Sequence, residues 1–581
     1  MKSGTQKNLL KGYPAWAGEM ASRYLGKSAH QFILHGNIRD KVKVGTKSSP
    51  HFLTMNAFLQ EELFASRDAV LMYDRATGLS FNTYSTRRDF LQTVESYDKV
   101  SKTGYSRNLP VDPVRVAALV ENYIMLRLAE NKSIALIIDY AETLIPVGET
   151  GMTGGEDRSM LVFLQKWAQD PIFAAGDLTI VLMAENRGDL NKAVVQHPYV
   201  ASIEVSRPDE EDRLAYIDRF TDKKRPFRSI AKGINRQTLA KLTSGLTYTS
   251  LDGLLSMAAE HKAPLGKAEI MKFKKERLEA ESHELIEFLP TDRSLNDVAG
   301  HDEVKSHLRG VAKAISKGKT DILPMGYLVC GPVGTGKTFM VSCFAGDVGI
   351  PMVRLKNFRS QWQGVTESNL EHILGLLKAL APVAVMIDEA DAYLGDRSQS
   401  GDSGVSARVF SQIASFMSDT TNRGRIIWFL MTARPDLMPV DLKRQGRAEE
   451  HLVLFHPENP EERSRLFELM LNRHNIPLSK DELAELTAFL PERLSGADME
   501  AILTRALFLS HQKGKKVSPE IIREALMDFR PPEYPEEIEL QTLAAVMEAT
   551  SRTMLPQKYR EYSTQELRRR FEELKENRSE L

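Results

Sequence analysis

Gly331-Pro332-Val333-Gly334-Thr335-Gly336-Lys337-Thr338 follows the apolar run Tyr327-Leu328-Val329-Cys330 and opens a helical pattern. Every position of G-x-x-x-x-G-K-[ST] is filled, and strand, glycine-rich turn and helix come in the order this motif requires. Its glycines let successive backbone N–H groups curl around phosphate at a helix N-terminus. Lys337 then brings positive charge to the β and γ phosphates of a nucleotide, and the Thr338 hydroxyl is a ligand for Mg²⁺. The expected binding set is Pro332, Val333, Gly334, Thr335, Gly336, Lys337 and Thr338, with ATP and Mg²⁺ as cofactors.

Working downstream, Val383-Ala384-Val385-Met386-Ile387 reads as a buried strand that ends in Asp388-Glu389. A hard carboxylate at Asp388 suits Mg²⁺, directly or through water, and Glu389 is placed to orient or deprotonate an attacking water. A helix N-cap followed by a first-turn acid is the bland reading of this pair; the phosphate loop upstream argues against it. Another apolar run, Ile426 to Met431, ends in Thr432-Ala433-Arg434. Short apolar runs alternating with helical patterns predict an α/β fold with a parallel sheet buried between helices.

From about residue 291 to 530 the sequence resembles the AAA family of AAA+ ATPases. The stretch Leu295-Asn296-Asp297-Val298-Ala299-Gly300 is similar to that family's adenine-side entry, and Leu494-Ser495-Gly496-Ala497-Asp498 to its lid motif. The resemblance implies that Val298, Ala299 and Gly300 flank the base on one side and Gly496 and Ala497 on the other. Arg444-Gln445-Gly446-Arg447 resembles the family's paired arginine fingers, so Arg444 and Arg447 are expected to reach the γ phosphate of a neighbouring subunit in a homo-oligomeric ring, most often a hexamer. Unassigned surface arginines are the competing reading. Ser360-Gln361-Trp362-Gln363-Gly364 stands where such rings carry a pore loop, which makes Gln361, Trp362 and Gly364 expected contacts to an extended polypeptide, against the alternative of a buried tryptophan. Ala433 departs from the pattern, which has a polar residue there. Either Thr432 takes over part of the water positioning or hydrolysis is slow.

Asp388-Glu389-Ala390-Asp391 also spells a helicase signature, but in those enzymes the Arg-x-Gly-Arg motif belongs to a second domain far downstream, whereas Arg444 follows closely here. A nucleic-acid motor is therefore not expected. Charge agrees: 77 basic residues against 78 acidic ones leave a net charge of −1, which gives no chain-wide attraction to polyanions.

The first half repeats the order of landmarks. Ile134-Ala135-Leu136-Ile137-Ile138 ends in Asp139, Leu178 to Met183 ends in Ala184-Glu185-Asn186, and Arg207-Pro208-Asp209 follows, at nearly the spacings seen for Asp388, Ala433 and His456-Pro457-Glu458. A duplicated module accounts for this. In the first copy Gln31-Phe32-Ile33-Leu34-His35 lacks a following phosphate loop: in Gly45-Thr46-Lys47-Ser48, Thr46 occupies the obligatory glycine position and Lys41 stands where the first glycine belongs. Asp139 is followed by Tyr140 instead of Glu, and no Gly-Arg finger occurs between Asn186 and Pro208. This copy is expected to be catalytically inactive. The arrangement resembles bacterial two-module AAA ATPases, including the broad SpoVK-like grouping.

The expected organisation is two tandem AAA+ modules, each a parallel-sheet core with a helical lid. A degenerate module spans 1–265, a connecting helix 266–290 (about Ala268 to Phe288, stopped by Pro290), an active core 291–455, its lid 456–530 and a C-terminal helical extension 531–581. An element such as Leu71 to Ser106 is expected as an insertion in the first module. The length of 581 residues suits several domains, and 42% hydrophobic residues suffice for large cores. Two cysteines exclude a disulfide framework, no apolar stretch is long enough to span a membrane, and no signal segment is evident, so a cytoplasmic setting is expected. Two functions follow from these motifs. One is an ATP-driven ring that remodels, disassembles or threads a protein substrate; the other is a nucleotide-switched scaffold or assembly factor without threading.

Overall fold

In the computed structural model, residues 12–46, 49–148, 154–220, 233–260, 265–282, 285–356, 367–394, 405–491, 494–530 and 534–579 are described. The chain divides into two compact units, Met1–Ser282 with Gly364–Ala379, and His283–Gln363 with Leu380–Leu581.

The first unit's sheet contains β1 (Gln31–Gly36), β4 (Ala69–Asp74), β5 (Gly78–Phe81), β6 (Ile134–Ile138), β7 (Leu178–Met183) and β8 (Val200–Val205). A separate hairpin pairs β2 (Lys41–Val44) with β3 (His51–Thr54). Successive side chains of a strand point to opposite faces. Ile134, Leu136, Ile138, Leu178, Ile180 and Leu182 therefore enter one core, with Trp167 and Phe173. Ala135, Ile137, Val181 and Met183 enter the other, with Phe32 and Phe58. Both faces are covered, which is why these strands read as unbroken apolar runs.

The second sheet contains β9 (Ile286–Leu289), β10 (Gly326–Cys330), β11 (Met352–Leu355), β12 (Val383–Ile387), β13 (Ile426–Thr432) and β14 (Glu450–Val453). Its order, β14-β10-β13-β12-β11-β9, is matched position for position in the first sheet by β8-β1-β7-β6-β4-β5. The edge strands β9 and β5 are both antiparallel to their neighbours, and all the other pairings are parallel. The duplication inferred from landmarks is thus a duplication of topology.

Two expected boundaries are corrected. The connecting helix runs only over Lys267–Glu281, and Ile286–Leu289 is the edge strand β9, paired with β11. The helix buries Ile270, Phe273, Lys274 and Leu278 within the first unit, so it is part of that unit's helical region and not a free linker. The supposed insertion from Leu71 is also partly core: β4 pairs with β6, β5 takes the antiparallel edge place that β9 holds in the second sheet, and the Tyr84–Ser101 helix adds to the common plan. Ala69-Val70-Leu71-Met72-Tyr73 is a continuous apolar run, the pattern of a buried parallel strand.

In the second unit the helices Pro460–Arg473, Lys480–Thr487, Gly496–Gln512 and Pro519–Asp528 share a core around Phe467, Met499, Ile502 and Ile522. Beyond them the Pro535–Glu548 helix buries Leu540, Leu543, Ala544 and Val546. No helix among the described residues is long and apolar enough to cross a membrane.

Candidate nucleotide site

The phosphate loop connects β10 to the Lys337–Val348 helix, and Gly336 caps that helix in a left-handed conformation. Gly331 has φ +145° and lies against the backbone of Leu454, where any Cβ would overlap the carbonyl oxygen. Gly334 has φ +81°, and a Cβ there would come within 2.7 Å of Ser495 Cβ. Only glycine permits this backbone and this approach of the lid. Lys337 Nζ donates to the carbonyl oxygens of Gly331 (2.8 Å) and Pro332 (2.9 Å), and burial lowers its pKa.

Thr338 Oγ1 lies 3.3 Å from Asp388 Oδ2, which brings together a hydroxyl and a carboxylate from the starts of two different connections. Glu389 sits at φ +49°, and its N–H donates to Asp388 Oδ1 at 3.1 Å. A non-glycine residue in this region carries strain and turns the chain sharply out of β12. Hard oxygen donors beside a glycine cradle are the donor set that suits Mg²⁺ bound to phosphates.

The residues expected to flank the base lie at the end of one short helix, in the turn before a second and at the start of a third. Val298 ends a short helix whose capping box is Ser294 with Asp297, and its carbonyl accepts from Lys305 Nζ at 3.1 Å. Gly300 lies near the Glu462 side chain, and burial pushes the neighbouring His301 imidazole down to about 4. Ala299 falls between them. Across from Gly334, Ser495 caps the Gly496–Gln512 helix with Asp498, so Gly496 and Ala497 form its first turn.

The model for the ATPase family associated with various cellular activities (AAA) matches residues 327–455. The models for the AAA+ chaperone N-terminal Rossmann-like domain and second helical domain match 5–206 and 211–283. The chain belongs to the AAA+ ATPases. It is 25% identical to the cell division cycle protein 48 homolog of Archaeoglobus fulgidus over 71% of this chain and 61% of that protein. It is 27% identical to protein SAV of Sulfolobus acidocaldarius over 65% of this chain and 51% of that one. A third relative is the ATP-dependent zinc metalloprotease FtsH of Caldicellulosiruptor bescii, at 30% over 45% and 43%. The chain spans about half the length of these relatives. The helical-domain match up to residue 283 includes the Lys267–Glu281 helix, in line with its packing.

Within this AAA+ chain the two arginines differ. Arg444 is exposed and paired with Asp441 Oδ1 at 2.7 Å. Arg447 is only 8% exposed: its Nε donates to Ser418 Oγ at 2.8 Å, and its NH1 to the Asp441 carbonyl (2.8 Å) and carboxylate. Arg447 is directed inward and holds the aspartate that Arg444 also uses, which does not match the expectation of two outward fingers. Thr432 is 1% exposed; its hydroxyl donates to Asp391 Oδ1 at 2.6 Å and accepts the Arg434 N–H at 2.8 Å. Gln361, Trp362 and Gly364, and the Gly395–Gly404 stretch, lie outside the described residues. Sequence reasoning missed the roles of Asp441 and Asp391 as partners of Arg447 and Thr432. Only Asp441, three residues before Arg444, left a local signal.

The AAA+ first unit keeps the turn but not the cradle. Gly36 ends β1 at φ +92°, against the Val205 carbonyl, as Gly331 directly follows β10 against Leu454. Gly36, not Lys41, is therefore the counterpart of the first loop glycine. Tyr140 repeats the left-handed geometry of Glu389 at φ +52°, with its N–H donated to Asp139 Oδ1 at 2.8 Å. Three residues beyond Gly36, where Gly334 stands in the second unit, is Arg39. Its NH1 donates to Asp139 Oδ1 at 2.7 Å, and its guanidinium lies 3.8 Å from the Tyr140 ring centroid. Asp40 caps the Tyr248–Glu260 helix by accepting the Tyr248 and Thr249 N–H groups at 2.8 and 2.9 Å.

Proposed function

We propose that this chain is the subunit of an ATP-hydrolysing AAA+ ring that remodels or disassembles a protein partner, with chemistry confined to the second module. The observation that carries this reading is the juxtaposition of Thr338 and Asp388 at 3.3 Å beneath a glycine loop, with Glu389 turned out of the sheet beside them. Mg²⁺, when bound with ATP, would be held through Thr338 and Asp388 and would neutralise charge on the phosphates. Lys337 would leave its loop carbonyls for the phosphate oxygens. Glu389 would accept a proton from the attacking water, and Arg444 of an adjacent subunit would stabilise charge developing in phosphoryl transfer. Arg447 keeps Asp441, and through it Arg444, in place.

The first module would bind no nucleotide, since Arg39 already supplies the positive charge that Asp139 faces, and would serve assembly or recruitment. Gln361, Trp362 and Gly364 are proposed as the polypeptide-gripping loop, and a cytoplasmic site of action fits the composition. A second reading, a nucleotide-switched scaffold, draws on one observation: the Thr432 hydroxyl is committed to Asp391, and Ala433 brings no polar group, so water positioning is sparse. Both readings are tested by Glu389→Gln. Turnover is expected to fall by roughly 10²- to 10⁴-fold while ATP is retained, and the trapped assembly should co-purify a protein partner. Undiminished turnover would refute the assignment, and a trapped ring that never holds a substrate would favour the scaffold.

A further inference from the structure

The Pro535–Glu548 helix carries Gln541, Ala545 and Glu548, positions four and seven residues apart that fall on one side of an α-helix. Gln541 is 5% exposed. Its side-chain oxygen accepts the Val333 N–H of the phosphate loop at 3.0 Å, and its amide donates to Glu537 Oε1 at 2.9 Å. A buried amide is costly without partners, and both halves of this one are used. One turn on, the Ala545 carbonyl faces Cys330 Sγ, at the strand end that launches the loop, at 3.9 Å. At the next turn the Glu548 carboxylate holds Lys443 Nζ, and the Glu548 carbonyl meets His451 Nδ1 at 2.6 Å. Lys443 immediately precedes Arg444 in sequence. A single stretch of roughly two turns, about 10 Å long, therefore touches the phosphate loop at one end and the segment bearing Arg444 at the other.

A loop with glycines at 331, 334 and 336 has much backbone freedom to lose on binding phosphate. Tying the Val333 N–H restrains the one non-glycine, non-proline residue between the first two glycines, and an already ordered loop binds at lower entropic cost. We propose that Gln541 is a positioning residue for the phosphate loop, and that its helix links the shape of that loop to the Lys443–Arg444 segment. This rests on the reading of the second module as an ATPase.

The test uses the full chain with Gln541→Met, which keeps length and apolar packing but deletes the acceptor, and Val333→Pro, which deletes the donor. Amide hydrogen exchange across residues 331–338 without nucleotide should quicken in Gln541→Met by about fivefold, the size of one neutral hydrogen bond, with exchange in the sheet unchanged. KM for Mg·ATP should rise about fivefold with kcat within about twofold, the split expected when ground-state and transition-state binding weaken together. Val333→Pro should raise KM as well, and adding Gln541→Met to it should change nothing further. Wild-type loop exchange in Gln541→Met, or additive effects in the double variant, would overturn the proposal. Should the wild type turn over ATP no faster than Lys337→Ala, the ATPase reading fails instead, and the exchange result alone decides whether Gln541 orders the loop.

Discussion

Two arginines three residues apart, read alike in sequence, have different surroundings. Arg444 keeps its guanidinium in solvent beside Asp441, whereas Arg447 is satisfied by Ser418 and Asp441 from within its own subunit. Arg444→Ala should therefore lower turnover by about 10³-fold or more, the range measured for arginine fingers, with the melting temperature unchanged. Arg447→Ala should lower the melting temperature itself, because Ser418 and Asp441 lose a buried partner, and thermal unfolding followed alongside ATPase assay separates the two. Glu389 and Tyr140 make the complementary point. Both adopt the left-handed turn after an aspartate, so the backbone of this corner is the same whether its side chain is Glu or Tyr. The loop glycines, Lys337, Thr338 and the Asp388-Glu389 pair were legible in sequence because their spacing along one chain defines their geometry. The inward direction of Arg447 was not, since Ser418 lies far from it in sequence.

At the level of elements, the Lys267–Glu281 helix reads as a charged linker, yet it buries Lys274. The Lys274 ammonium donates to Ser244 Oγ at 2.8 Å, and burial, helped by the nearby Arg213 charge, pushes its pKa down to about 7. An unfolded lysine titrates near 10.4, so between about pH 7 and 10 the unfolded chain binds the extra proton and native stability rises with pH. Lys274→Met should raise the unfolding temperature of the first unit at pH 7, by an amount corresponding to roughly 1–3 kcal/mol, and the difference from wild type should shrink towards pH 10. Calorimetry of the full chain at both pH values measures it, and a difference independent of pH would remove the titration from the explanation. The linker reading erred because charge counts average over a helix, whereas burial depends on what covers each face. Ile286–Leu289 is an analogous case: four residues declare no partner, and only pairing with β11 makes them a strand.

For the whole molecule, the proposed shared site has a consequence that neither subunit shows alone. Arg444→Ala and Glu389→Gln chains should each be nearly inactive, yet mixed together they should regain a substantial part of wild-type turnover, because the intact Glu389 of one chain meets the intact Arg444 of its neighbour. Mixing that restores nothing, with assembly confirmed by mass, would place the finger in its own subunit. The sequence by itself determined the family of the second module, its glycine loop, the Asp388-Glu389 pair at the end of β12, and the duplication, since each is encoded in short-range spacing and in apolar runs whose period reports burial. Tertiary structure alone decided that Arg39 faces Asp139 in the first unit, that Arg447 turns inward, and that Gln541 of the C-terminal helix meets Val333 more than two hundred residues away. The physical reason is common to all three. A hydrogen bond or ion pair needs its partners within about 3 Å, and for residues distant in sequence that proximity is set by how the sheet and helices pack, which no local pattern records.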